Sequence, residues 1–261
     1  VATFLAVYPQ ALLFGYGDEV ILIGFTTAPR VALKSWQAAW RPGTLRDYLV
    51  TAGLLSPSDV LRRLRADGDG MSRLVGRYTS PVTDDSAQLE LGLAWNWLTR
   101  HAETSPIYSA VRREFPPDLS RLINDAEDRL SIVVMTINRL LDLGLLDEAR
   151  LWMETQRPSD TLSVRRARAR LELADAKYDA AEALLRRCMH DWPQAPEPVE
   201  DLAAMFESRG EYSRLVDLLE GSVPRLPPSG RLLGLLGRGY HHLGRMEKAT
   251  EVLESAMAQA D

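Results

Sequence analysis

The chain has 261 residues, 46% of them hydrophobic and 26% charged, with a formal net charge of −5. This is ordinary globular material, long enough for one large core or two smaller ones, and its acidic balance argues against general nucleic-acid binding, which needs a basic field. A single cysteine excludes an intramolecular disulfide framework and fits a reducing, cytoplasmic setting, and no apolar run approaches the ~20 residues of a membrane span.

The first residues, Val1 to Phe14, are apolar but lack a basic leader and carry Pro9, which argues against a signal peptide. The absence of an initiator Met is read as a fragment or a processed chain. A helix end is expected first. Strands are expected over Ala11–Tyr16 and Glu19–Phe25, both rich in branched and aromatic residues, with Gly17-Asp18 as a hairpin turn. Val20-Ile21-Leu22-Ile23 is apolar throughout, which predicts a strand covered on both faces within a sheet larger than this chain supplies. An exposed apolar edge of that sheet is expected to pair with a second copy of the chain.

Residues 30–75 read as helical. Trp36 and Trp40 sit four apart on one face. Ser56-Pro57-Ser58-Asp59 reads as a helix start ahead of VLRRLRA. Asp67-Gly68-Asp69-Gly70 reads as a turn, and "SPVTDDSAQLELGLAWNWL" as a polar loop running into an apolar stretch. From Ser105 onward only helical spacing remains.

Four segments of that second half align: "LGLLDEARLWMETQRP", "AKYDAAEALLRRCMHDWP", "RGEYSRLVDLLEGSVPRLP" and "LGRMEKATEVLESAMAQA". Their anchors are Ala149, Ala181, Leu215 and Ala249, spaced 32, 34 and 34 residues apart. Before each anchor stands a turn residue (Gly144, Ala176, Gly210, Gly244), followed by Leu146, Tyr178, Tyr212 or Met246. Four residues past each anchor stands a large apolar one (Met153, Leu185, Leu219, Leu253). Ala203/Phe206 and Gly237/Tyr240 give the small-then-aromatic pair of the preceding helix. A helix–turn–helix period of 34 resembles the tetratricopeptide repeat, whose stacked units share one core and present a concave surface.

The first hundred residues carry a different resemblance. "TFLAVYPQALLFGYGDEVILIG" resembles the late helix–strand–strand stretch of the spermidine synthase (aminopropyltransferase) family, in bacterial forms often fused to membrane segments. "PVTDDSAQLEL" is similar to a further segment of that subfamily. Thr83, Asp84, Asp85, Leu89 and Glu90 match it, whereas Val82 replaces a usual Asn and Ala87 a usual Pro. The resemblance implies a Rossmann-like parent that binds decarboxylated S-adenosylmethionine. It also places the glycine-rich cofactor loop and catalytic acids upstream of Val1. No catalytic residue or cofactor site is therefore expected in this chain itself, and with four His and one Cys no metal ligand set is expected either.

The expected fold class is α+β. Residues 1–104 would be the C-terminal part of the α/β domain, holding its edge strands, and residues 105–261 an all-α solenoid of about four repeats. The chain would be the non-catalytic end of a spermidine synthase-like protein with a protein-binding tail. The alternative is a stand-alone repeat adaptor whose first hundred residues form an unrelated α+β cap.

Candidate sites are few. Gly15-Tyr16-Gly17 leads into a strand, not the helix a nucleotide loop requires. A calcium loop starting at Asp67 would need Glu at its twelfth position, where Tyr78 stands. His241 and His242, adjacent on a helix, point about 100° apart and do not chelate as a pair. Cys188 falls where the repeat takes a small buried residue. Asp84, Asp85 and Glu90 are the candidate polyamine-binding carboxylates that the resemblance implies, with helix capping as the other reading. By the tetratricopeptide register, Asn138, Arg166, Arg170, Arg238 and His241 face the groove, where guanidinium groups would take an acidic peptide. Glu197, Glu200 and Glu207 interrupt that basic field, and a solvated, salt-bridged face is the other reading.

Overall fold

A computed structural model of the chain describes residues 2–16, 19–78 and 116–258. They divide into two compact units, Val1–Ser159 and Asp160–Asp261. The first unit holds α1 (Ala2–Val7), β1 (Gln10–Tyr16), β2 (Glu19–Phe25), α2 (Leu33–Ala39), α3 (Thr44–Thr51), α4 (Pro57–Leu61), β3 (Leu64–Asp67) and α5 (Gly68–Tyr78). A 3-10 turn at Leu119–Arg121 then leads to α6 (Ala126–Asp142) and α7 (Leu146–Gln156).

The hairpin expected at the start is present, within a sheet of three strands ordered β2-β1-β3. Both pairings are antiparallel, so β1 lies at the centre. Leu13 stands opposite Leu22 on one side and Ala66 on the other. Ala11, Leu13 and Ala66 pack with Leu5 and Met71 into a small core, which Phe4 and Leu22 border. On the opposite face Leu12, Phe14 and Ile23 line an apolar groove of about 440 Å³ with Phe25, Trp36 and Leu64.

Three expectations need correction. The apolar run at residues 20–23 is not covered on both faces: Ile21 and Ile23 are 45% and 42% exposed, because β2 is the sheet's edge. The helix starting at Ser56 stops at Leu61 instead of running through VLRRLRA. Pairing with β1 buries Leu64 and Ala66 completely, and this tertiary gain overrides the helical propensity of the segment. Nor is Asp67-Gly68-Asp69-Gly70 a free turn. The Asp67 carboxylate caps α5 by accepting the Gly70 N–H at 2.8 Å, and it also accepts that of Asp118 at 2.9 Å. Gly68 is required there because a Cβ would lie 2.3 Å from the Pro9 carbonyl oxygen.

Asp59 ties α4 to α6. Its side chain is fully buried. One carboxylate oxygen accepts Nε–H bonds from Arg139 at 3.0 Å and Arg62 at 3.2 Å. The other accepts the Leu55 N–H at 3.0 Å and the Ser56 hydroxyl at 3.1 Å. Burial opposes its ionisation, but the bonds from Arg139 and Arg62 outweigh that and hold the carboxyl below its ordinary value of 3.8.

The second unit holds α8 (Leu162–Ala174), α9 (Tyr178–Asp191), α10 (Glu197–Ser208), α11 (Tyr212–Ser222), a 3-10 turn at Val223–Arg225, α12 (Gly230–His242) and α13 (Met246–Ala258). These are three helical hairpins: α8–α9, α10–α11 and α12–α13. One core runs through all three, from Ala169, Ala181 and Leu185 through Phe206, Leu215 and Leu219 to Tyr240 and Ala249. The four anchors Ala149, Ala181, Leu215 and Ala249 are each at most 4% exposed. Cys188 is buried as its register requires, and burial pushes its thiol upward, away from the reactive thiolate.

Every hairpin reverses in the same way. Gly144, Ala176, Gly210 and Gly244 adopt left-handed backbone, with φ of 71°, 58°, 71° and 74°. The next residue's N–H reaches back to the last turn of the preceding helix: Leu145 to Leu140 O, Lys177 to Glu172 O, Glu211 to Phe206 O and Arg245 to Tyr240 O, all at 2.9 Å. This is the Schellman stop, which satisfies carbonyls that the helix end would otherwise leave open. Three of the four positions are glycine, which reaches this conformation without a Cβ penalty.

Two predictions follow for stability. Asp59→Ala should cost about 3 kcal/mol, because it strands two guanidinium groups at a part-buried site. With the folded carboxyl lowered, its contribution is complete above the ordinary value of 3.8 and is lost as pH falls through the lowered folded value. Urea melts at pH 7 and pH 3 should therefore differ more for wild type than for the variant. Ala176→Gly should raise stability by about 1 kcal/mol, since it relieves the one alanine in the left-handed position. A thermal melt that is unchanged or lowered would contradict that reading.

Candidate interaction surface

Each hairpin's first helix turns a polar stripe away from the core. On α10 the stripe is Glu197, Glu200, Asp201, Ala204 and Glu207, spaced three and four apart and so on one side. Arg166 and Arg170 share a side of α8, and Arg231 and Arg238 stand two turns apart on α12.

Ion pairs join these stripes from layer to layer. Arg166 grips Asp201 with two bonds, Nε at 2.6 Å and Nη2 at 3.1 Å. Arg231 lies 3.3 Å from Glu200. Arg238 grips Glu207 with Nε at 2.6 Å and Nη2 at 3.3 Å. The middle helix is thus the acidic partner of a basic helix on either side. Burial disfavours the Arg166 charge, but Asp201, with Glu197 and Glu200 behind it, more than offsets this and raises its affinity for the proton. Arg238 lowers the Glu207 carboxyl against an opposing effect of burial.

In the sequence Glu197, Glu200 and Glu207 interrupt a basic field, with a salt-bridged face as the other reading. Glu200 and Glu207 are in fact the counter-ions of Arg231 and Arg238. Asp201 and Arg231, which that reading did not single out, complete the ladder. The signal that would have found them was a separation near one repeat: 35 residues for Arg166–Asp201, and 31 for both Glu200–Arg231 and Glu207–Arg238. Asn138 lies on α6 in the first unit, and Arg170 is half-buried one turn beyond Arg166. His241 is exposed, its ring edge-on to His242 with an interplanar angle of 77°, while His242 stacks on Tyr212 with centroids 4.0 Å apart. Among the described residues no His, Cys, Asp and Glu group could hold a metal ion, and no helix is long and apolar enough to cross a membrane. Asp84, Asp85 and Glu90 lie outside the described residues.

The tetratricopeptide repeat family matches residues 232–261, which span the α12–α13 hairpin. Among solved structures the chain is similar to a crystal structure of MamA, at 12% identity over 69% of this chain and 96% of that one, with a TM-score of 0.42. It is also similar to a tetratricopeptide repeat protein from Parabacteroides merdae ATCC 43184, at 16% identity over 87% of this chain and 84% of that one, with a TM-score of 0.44. No curated protein matches the sequence. The chain carries a tetratricopeptide repeat at residues 232–261, preceded by hairpins with the same turn and the same buried anchor.

Proposed function

We propose that the chain is a protein-binding scaffold and that the α8, α10 and α12 stripes receive a segment of its partner. The observation that carries this reading is the run of three like hairpins on one continuous core, each turning a polar stripe outward. Stacked repeats of this kind offer extended concave binding surfaces. The groove set of Arg166, Arg170, Arg238 and His241 stays in the proposal with one refinement. Two of its guanidinium groups already hold carboxylates through Nε–H and Nη2–H, so an acidic partner segment shares or competes for them with Asp201 or Glu207. The exposed Ala204 sits between those pairs as a small residue on the floor.

Ala204→Trp fills that floor while keeping every charged residue of the ladder and is the sharper test. Affinity capture from lysate with the full chain should lose specific proteins in this variant and keep them in Asp217→Ala, a change at an exposed position on α11. Circular dichroism should report the same helix content for both. Identical captured sets from wild type and Ala204→Trp would rule the stripe out as the binding face.

For residues 1–104 we propose the finer reading as well, as the C-terminal part of an aminopropyltransferase-like domain. It rests on the TFLAVYPQ and TDDSAQLE segments. The stand-alone adaptor is the competing reading, and both share the scaffold role of the repeats. On either reading the purified chain should not transfer an aminopropyl group from decarboxylated S-adenosylmethionine to putrescine. Product above a no-protein control would show that the chain holds a complete active site.

A further inference from the structure

The first unit carries a helical loop whose apolar side chains lie open. From Arg41 to Gly53, every residue whose side chain is described is exposed except Leu49, which is half-buried. Leu45 and Tyr48 are 58% and 71% exposed, and Val50 and Leu55 are exposed as well. On α3, at about 100° per residue, Leu45, Tyr48 and Leu49, with Ala52 just beyond, span one face about 100° wide. Arg46 flanks that face, and Asp47 lies on the opposite side of the helix.

This loop stands on a fixed base. The Trp40 indole N–H donates to the Leu54 carbonyl at 2.9 Å and so closes the segment between them. Gly53, with φ of 69°, ends α3 in a left-handed stop, and the Leu54 N–H reaches back to the Leu49 carbonyl at 2.8 Å. The buried Asp59 carboxylate holds the next N–H, that of Leu55, at 3.0 Å. An eight-residue helix is not stable alone in water, so these end bonds keep α3 in shape. Its charge is one-sided. Arg30, Lys34, Arg41 and Arg46 fall within residues 30–46 with no carboxylate among them, in a chain of net charge −5. Lys34, Arg41 and Arg46 are exposed and form no ion pair with another described residue. Arg30 bonds neutral oxygens, the Ser120 carbonyl and the Asn124 side chain.

We propose that the α3 loop docks on the surface of an anionic bilayer, with Leu45, Tyr48 and Leu49 just below the lipid headgroups and Arg41 and Arg46 at the lipid phosphates. Tyrosine suits that boundary, because its ring enters the apolar layer while its hydroxyl stays wet. Two observations select lipid as the occupant. Val50 is exposed about 100° beyond Leu49 around the helix. A lipid surface surrounds an inserted tip on every side, whereas one docked protein helix covers a single stripe. The uncompensated cations then select an anionic surface. A second copy of α3 docked through the Leu45–Tyr48 face would offer these cations no carboxylate, because Asp47 lies on the far side. The inference concerns the first unit alone and is independent of the repeat stripes.

The probe is a sucrose-loaded vesicle of two parts phosphatidylcholine to one part phosphatidylglycerol, sedimented with the full chain. Vesicles of phosphatidylcholine alone are the comparison. Binding to the anionic vesicles should be roughly tenfold tighter or more, and it should weaken as salt rises through the physiological range. Arg41→Gln/Arg46→Gln should lower it by about fivefold for each cation lost. Leu45→Asp/Tyr48→Asp should lower it by roughly tenfold or more. Met257→Asp, which removes a comparably exposed apolar side chain from α13, should leave it unchanged. All of these positions are exposed, and unchanged thermal melts of the variants confirm an intact fold. Failure to sediment with either vesicle, equal binding to both, or binding unaffected by the Leu45/Tyr48 pair overturns the proposal. So does a wild-type dimer that the same pair dissolves, because a second copy would then be the occupant.

Discussion

The second half of this molecule depends on one backbone event, the left-handed residue that ends the first helix of each hairpin. At residues 144, 176, 210 and 244 the chain reverses within a single peptide, and the next N–H bonds back to the preceding helix. The turn costs little where the residue is glycine. It fixes where the second helix starts, which brings the anchor residue five positions later against the first helix. Because the anchor is small or unbranched at Cβ, the helices approach closely and bury one another's apolar stripes. The ion-pair ladder of α8, α10 and α12 is a consequence of that spacing. Partners 31 to 35 residues apart meet only because the repeat brings successive helices into the same phase.

Much of this was legible in the sequence. The anchors, the turn residues and the burial of Cys188 could be read from a 34-residue period, because each repeat's core is local and its pattern recurs. The counter-ions were harder to find. A charge on a helix face looks the same in sequence whether it meets solvent or a neighbour. Only the question of what lies about one repeat away would have joined Arg238 to Glu207.

The first half resisted for a physical reason. The segment VLRRLRAD has helical composition, and a strand forms there because β1 offers an open edge that buries Leu64 and Ala66. That gain lies fifty residues away in sequence. Asp59 stands in the helix start that the sequence shows, and it is also a buried clasp whose partner Arg139 lies eighty residues on. Non-local pairing of this sort leaves no periodic trace. The apolar run at residues 20–23 misled in the opposite direction, since an edge strand with one covered face has the same composition as a central one.

Native-state hydrogen exchange of four amides tests the central claim most directly. The N–H groups of Leu145, Lys177, Glu211 and Arg245 follow the turn residue in every hairpin, a place where an ordinary helix–loop–helix would leave them open to water. The repeated Schellman stop predicts that they are protected to a degree comparable with the adjoining helix interiors. Exchange of these four amides at the rate of a free peptide, while the helix interiors stay protected, would show that the turns are not the structural unit on which the repeats are built.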